Sequence, residues 1–169
     1  MEKNLDVIKS LAIANEDQNF EFRSFLKMLQ ISDKKLDSIV KKITSGVMKE
    51  INCNECRNCC KVSAPSLEKD EIVIISNYLK ITETEFIEEY LYMEDQEANE
   101  LSVKIPCPFF KNDSCTIEEV KPIMCRDYPY LLKKGFRGRL LGVIDNYEIC
   151  PIVFNVYEEL KQKFKRKKN

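Results

Sequence analysis

Eight cysteines and no histidine place the strongest constraint on what this 169-residue chain can fold into. Four of the cysteines fall within Cys53-Asn-Glu-Cys56-Arg-Asn-Cys59-Cys60, and Cys107, Cys115, Cys125 and Cys150 follow in the second half. So dense a set of thiols needs a chemical reason, and thiolate coordination of metal is the first to consider. Without histidine, no Ser-His-Asp or Cys-His pair can form within the chain. A HExxH zinc site and a His-carboxylate iron site are excluded on the same ground. Any metal must sit among thiolate, carboxylate or backbone ligands.

The rest of the composition narrows the class. Apolar residues make up 44% of the chain and charged residues 33%, the balance of a globular protein with a real core. Only four glycines are present, Gly46, Gly135, Gly138 and Gly142, too scattered for a phosphate-cradling loop of the Rossmann or P-loop kind. The N-terminus does not read as a secretory signal, and apolar runs such as Ile72–Ile75 are too short to span a bilayer. The expected compartment is the cytoplasm, where clustered cysteines more often bind metal than form disulfides.

Periodicity predicts a mainly α fold with irregular cysteine-bearing loops and a small β-hairpin, organised by metal. Phe22, Phe25, Leu26 and Leu29 lie at helical spacing, and Ser32-Asp33 starts a second stripe of Leu36, Ile39, Val40, Ile43 and Val47. Both stripes read as core-facing. A helix is expected from about Leu67 to Leu79, and another behind the capping box Thr82–Glu85. Glu94 to Glu100 reads as a solvated acidic helix end or loop. Pro106-Cys107-Pro108 sets an extended turn, and Thr116–Glu119 reads as a further capping box whose helix Pro122 limits to about a turn. Residues 131–134 and 140–144, flanking Gly135-Phe-Arg-Gly138, suggest the hairpin, and Pro151 opens a helix carrying Val153, Val156, Tyr157, Leu160 and Phe164.

The organisation expected is one compact domain, with residues 1–50 a helical segment packing on a cysteine-cluster region at 51–160 and a basic tail at 161–169. Six of the eight residues from Lys161 to Lys168 are basic, which reads as a solvated, fraying helix end. It is the one stretch that could meet nucleic acid or an anionic membrane, since a net charge of −1 implies no broad basic face. The sequence leaves room for a protein partner without naming one.

Cys53, Cys56 and Cys59 are spaced i, i+3, i+6, so one loop can aim three sulfurs at a cubane iron–sulfur cluster whose fourth ligand comes from elsewhere. In ferredoxins that fourth cysteine precedes a proline, as Cys107 and Cys150 do here. The same units suit a tetrahedral zinc site. Neighbouring side chains diverge, so Cys59 and Cys60 favour two four-thiolate centres, the alternative being one centre plus buried, uncharged thiols. Thiolate charge needs nearby cations, and Arg57, Lys61, Lys121 and Arg126 stand close to ligand candidates in sequence, Arg126 foremost.

These elements resemble the YkgJ-type cysteine-cluster proteins, the CxxCxxCC zinc- or iron-chelating domains. The resemblance runs from Cys53-x-x-Cys56-x-x-Cys59-Cys60 through Pro106-Cys107-Pro108-Phe109, Cys115 and Ile117. It continues over Lys121-Pro122-x-x-Cys125-Arg126-Asp127-Tyr128-Pro129 to Cys150-Pro151. It implies a metal-chelating domain with the eight cysteines as ligand candidates. It also touches the cysteine-cluster domain of flagellin lysine N-methylases, larger proteins whose branch implies an iron–sulfur cluster. The chain departs from the pattern at Arg57, where glycine is common, at Glu118, where an aromatic is common, and at Lys121, where arginine is usual. No departure removes a sulfur. Three readings follow in order: a protein holding an iron–sulfur cluster or iron, a zinc-stabilised structural or interaction module, and protein lysine methylation or an accessory to it. Whether the chain is an enzyme is left open by its residues.

Overall fold

A computed structural model describes residues 1–95 and 100–165, apart from the side chains of 94 and 95. Most of the acidic stretch and the end of the basic tail therefore lie outside the described residues. In chain order the helices are α1 (Leu5–Ala14), α2 (Glu16–Met28), α3 (Asp33–Glu50), α4 (Cys53–Cys56), α5 (Cys59–Val62), α6 (Lys69–Leu79) and α7 (Glu83–Tyr90). Two short antiparallel hairpins follow, β1 (Leu91–Asp95) with β2 (Glu100–Val103), and β3 (Phe110–Lys111) with β4 (Ser114–Cys115). The chain then forms α8 (Ile123–Asp127), α9 (Leu140–Asp145) and α10 (Pro151–Lys165). The fold is thus mainly α, with irregular cysteine-bearing loops and small hairpins. Its contacts divide it into two compact units, residues 1–56 with 129–169, and residues 57–128.

In the first unit α10 is the central element. Every residue from Pro151 to Tyr157 is buried, the signature of a helix enclosed on all sides rather than lying on a surface. It packs on α3, whose Leu36, Val40 and Val47 are fully buried as the expected stripe requires. Asn155 ties in the chain's beginning, accepting from the Glu2 backbone N–H at 2.9 Å and donating to the Glu2 carbonyl at 2.7 Å. The Tyr157 hydroxyl donates to the Asn19 carbonyl of α2 at 3.0 Å. Lys161, expected to be solvated, is only 4% exposed. Its ammonium pairs with Glu158 at 2.7 Å and lies over the Tyr147 and Tyr157 rings at 5.3 and 5.5 Å.

The hairpin expected around Gly135-Phe-Arg-Gly138 does not form. Residues 136–139 make a 3₁₀ turn that runs into α9. Two side chains take the backbone groups that a ladder would have used. Asp37 of α3 accepts from the Gly135 and Phe136 N–H groups at 2.9 and 3.0 Å. Arg139 donates to the carbonyls of Tyr130, Lys133 and Lys134. With both satisfied locally, the segment gains nothing from strand pairing.

The second unit surrounds Leu67, Ile72, Ile75, Phe86, Leu91, Val103, Phe109 and Ile117. Its helix starts follow the sequence closely. The Thr82 side chain accepts from the Glu85 N–H at 3.2 Å and the Glu85 carboxylate accepts from the Thr82 N–H at 2.8 Å, the capping box read from the residues. At Thr116 the outcome differs, for its hydroxyl donates to the Phe109 carbonyl at 3.1 Å instead of capping, and residues 118–120 form only a 3₁₀ turn. Of the stretch Glu94–Glu100, read as a helix end or loop, the described backbone belongs instead to the β1–β2 hairpin, Asp95 opposite Glu100 and Leu91 opposite Val103. Leu67 and Val103 add backbone bonds to Leu101 and Pro65 beside that hairpin.

Two variants test these assignments. Asp37→Ala should leave two backbone donors unsatisfied and lower stability by about 1–3 kcal/mol in urea unfolding followed by circular dichroism. Phe86→Ala removes a fully buried ring and should cost about 3–5 kcal/mol by the same measurement.

Candidate metal centre

None of the eight cysteines is in a disulfide, and they range from exposed Cys53 to buried Cys150, with the other six half-buried. Cys53, Cys56 and Cys150 lie in the first unit, and Cys59, Cys60, Cys107, Cys115 and Cys125 in the second.

In residues 57–128, five cysteines arrive on four stretches of backbone. Arg57 turns the chain through a left-handed conformation, φ 49°, and the short helix α5 then presents Cys59 and Cys60. That backbone costs a residue with a β-carbon about 1–2 kcal/mol, a demand that glycine meets freely. The Cys107 N–H donates to the Cys60 carbonyl at 3.3 Å, joining the second cysteine segment to the first. The Cys107 carbonyl accepts from the Phe110 N–H at 3.1 Å, which begins the β3–β4 hairpin, and Cys115 sits opposite Phe110 in that hairpin. Both Cys107 and Cys115 pack against the unit's apolar core. Cys125 lies in α8, whose first residue is fixed from α6: Glu71 accepts from the Ile123 N–H at 2.7 Å. Ser66 reaches the neighbouring Met124 sulfur at 3.1 Å.

Electrostatics ties four of these thiols together. Burial pushes Cys107 and Cys115 up, and the Cys60 charge adds to the effect at each. Cys125 is pushed up to about 12, first by burial and then by the charges of Cys107, Cys60 and Cys115. Cys60 goes the other way, down to about 6. A hydrogen bond from the Cys59 thiol contributes most to that lowering and burial opposes it, while Arg57 and Lys121 add to it. Cys59 thus favours a thiolate at Cys60.

The other group belongs to the first unit. Asn52 accepts from the Glu55 and Cys56 N–H groups through its carbonyl, both at 3.2 Å, and from Asn54 through its side chain at 3.0 Å. This caps the single turn α4, which carries Cys53 and Cys56 three residues apart and so on one face. Cys150 stands at the start of α10, pushed up to about 12 by burial and by the charges of Cys53 and Cys56, while the Ile152 and Val153 N–H groups favour its thiolate.

Arg57, Glu118 and Lys121, the three positions that depart from the resembled pattern, meet in the structure. Glu118 takes Lys121 at 2.6 Å and Arg57 at 3.4 Å, and both cations are mostly buried. Sequence reasoning put Arg126 foremost and passed over Glu118; the i, i+3 spacing of Glu118 and Lys121 was the available signal. Lys61 lies over the Phe110 ring at 5.8 Å.

In kind the donors fit zinc or iron, both of which accept sets of four thiolates. Among the described residues, no three Cys, Asp or Glu side chains already stand arrayed around one point as a finished ion cage. The same residues include no helix long and apolar enough to cross a membrane.

No solved structure matches the chain. An uncharacterized protein of Methanocaldococcus jannaschii is 34% identical over 82 residues, 47% of this chain and 44% of the relative. The chain therefore matches less than half the length of that relative. The family model described as "CxxCxxCC: Putative zinc- or iron-chelating domain" matches residues 52–153, a span that holds all eight cysteines. By that match over more than half its length, the chain belongs to the CxxCxxCC family of zinc- or iron-chelating domains.

Proposed function

We propose that this protein holds iron through its cysteine thiolates, as an iron–sulfur cluster or as bound iron. The observation that carries the reading is the joining of cysteine segments in residues 57–128, where the Cys107 N–H bonds the Cys60 carbonyl and Phe110, bonded to the Cys107 carbonyl, pairs with Cys115. Thiols brought together without disulfides destabilise one another once ionised, and a metal cation removes that conflict. The spacing of Cys53, Cys56 and Cys59, with Cys150 and Cys107 each before a proline, matches the pattern of iron–sulfur ligation.

An iron–sulfur cluster, when bound, supplies one-electron redox chemistry. The chain's own contribution is to present sulfurs from loops anchored on a core, to exclude water from Cys150 and to place Arg57 and Lys121 near Cys60. Metal binding would add to the folding free energy of the cysteine loops, where regular structure is sparse.

Iron, zinc and acid-labile sulfide measured per chain after anoxic purification should give iron with sulfide and a brown sample. A colourless protein carrying stoichiometric zinc and no iron would replace this reading with the zinc-stabilised module. Cys56→Ser should lower metal per chain in the same assay, whereas unchanged content would remove the residue from the ligands. Lys165→Gln, at the end of α10, should leave metal content as it is.

A further inference from the structure

We infer that the groove between α3 and α10 docks α2 of a second copy of this chain, with Phe20 seated among Lys35, Lys42 and Lys163. All of these residues belong to the first unit and none is a cysteine, so the contact is independent of the metal.

The groove is a cavity of about 280 Å³ lined by Lys35, Ser38, Ile39, Lys42, Ile43 and Lys163. Lys35 and Lys42 are spaced i, i+7 on α3, which puts both on one face, about 10 Å apart along the axis. Ile39 and Ile43 are half-buried, the outer edge of the stripe whose Leu36, Val40 and Val47 are fully buried. Lys163 comes from the other wall, on α10. The basic tail therefore divides, with Lys161 enclosed and Lys163 exposed at the groove. No carboxylate lines the groove, and among the described residues none of its three ammoniums is in an ion pair. Like charges around an apolar floor suit an anionic partner with an apolar centre.

The chain carries such a surface on α2. Phe22 and Phe25 of that helix pack on the Phe164 ring of α10, and Leu26 is fully buried. Phe20 is left outside, 41% exposed. Glu16, Asp17 and Glu21 lie within one helical turn of it, all exposed and, among the described residues, in no ion pair. Three carboxylates around an aromatic ring thus mirror three ammoniums around two isoleucines. Seating the ring on Ile39 and Ile43 buries apolar surface on both copies, and the charges at the rim fix the orientation. Other anions match less of the groove. Half-buried isoleucines offer a bilayer little to insert, and no arginine or aromatic side chain lines the groove to stack a base. Ring and groove are different patches of one surface, so the contact is heterologous.

The test follows self-association of the full, anoxically purified chain by analytical ultracentrifugation. The average mass should rise above that of one chain with concentration and fall back as salt is added. The double variant Lys42→Glu, Lys163→Glu and the single variant Phe20→Asp should each weaken association about tenfold or more. All three sites are exposed, so both variants should keep the wild-type circular dichroism. Mixed in equal amounts, the two variants should form a dimer, since the first retains the ring and the second the groove. The wild-type measurement needs no variant to fold, and a wild type that stays single at every concentration overturns the inference. So does association that survives either variant at full strength, or a mixture that fails to pair. Polyglutamate or phosphatidylglycerol vesicles that bind a single wild-type chain, but not the lysine variant, would assign the groove to another anion and defeat it as well.

Discussion

The stack of Phe86, Tyr90 and Phe109 holds the cysteine loops of residues 57–128 in place. Its centroids lie 5.0 to 6.1 Å apart with interplanar angles of 15° to 22°. Two rings come from α7, which has a capping box and needs no metal to start. The third, Phe109, sits two residues after Cys107, and its carbonyl receives both the N–H and the hydroxyl of Thr116, next to Cys115. One apolar contact thus fixes the backbone on both sides of the β3–β4 turn. Offset stacks of this kind contribute about 0.5–1.5 kcal/mol per pair beyond the area they bury. In a segment with so few ladder bonds, they set the position of two cysteines before any ligand field acts.

The sequence disclosed the elements governed by local chemistry. Ser32 caps α3, Thr82 and Glu85 box α7, and Pro151 opens α10, because each effect involves residues within one helical turn. Reading failed where a distant side chain captured local backbone. Gly135 and Phe136 look like a turn between strands until Asp37, about a hundred residues earlier, takes their N–H groups. Thr116 looks like a cap until the Phe109 carbonyl claims its hydroxyl. The stripe on α10 was visible, but not that Ile152, Phe154 and Asn155 on its other faces would be buried too. Enclosure is a property of what surrounds a helix, and no periodicity within it reports that.

The candidate site divides in the same way. All eight cysteines and their spacings were legible, as was the exclusion of histidine ligands. Their placement was not, since the Cys107–Cys60 backbone bond and the anchoring of α8 by Glu71 join residues far apart in the sequence. Family membership confirms the chelating character of the span from 52 to 153 without assigning individual sulfurs.

Glu118 brings out the electrostatic logic of the site. Its own charge raises both Cys60 and Cys115, which taken alone opposes a thiolate centre. Yet it holds Arg57 and Lys121, and at Cys60 each of these cations acts more strongly than Glu118 does. The same order holds at Cys115 for Lys121. Exposure explains the sign of the balance. The Glu118 side chain is 55% exposed and the two cationic side chains 15%, so water screens the carboxylate more than the cations. A carboxylate on the outside thus fixes two cations on the inside, and the net field favours negative sulfur. The charge beside the cysteines is thus set by three further side chains and not by the cysteines alone.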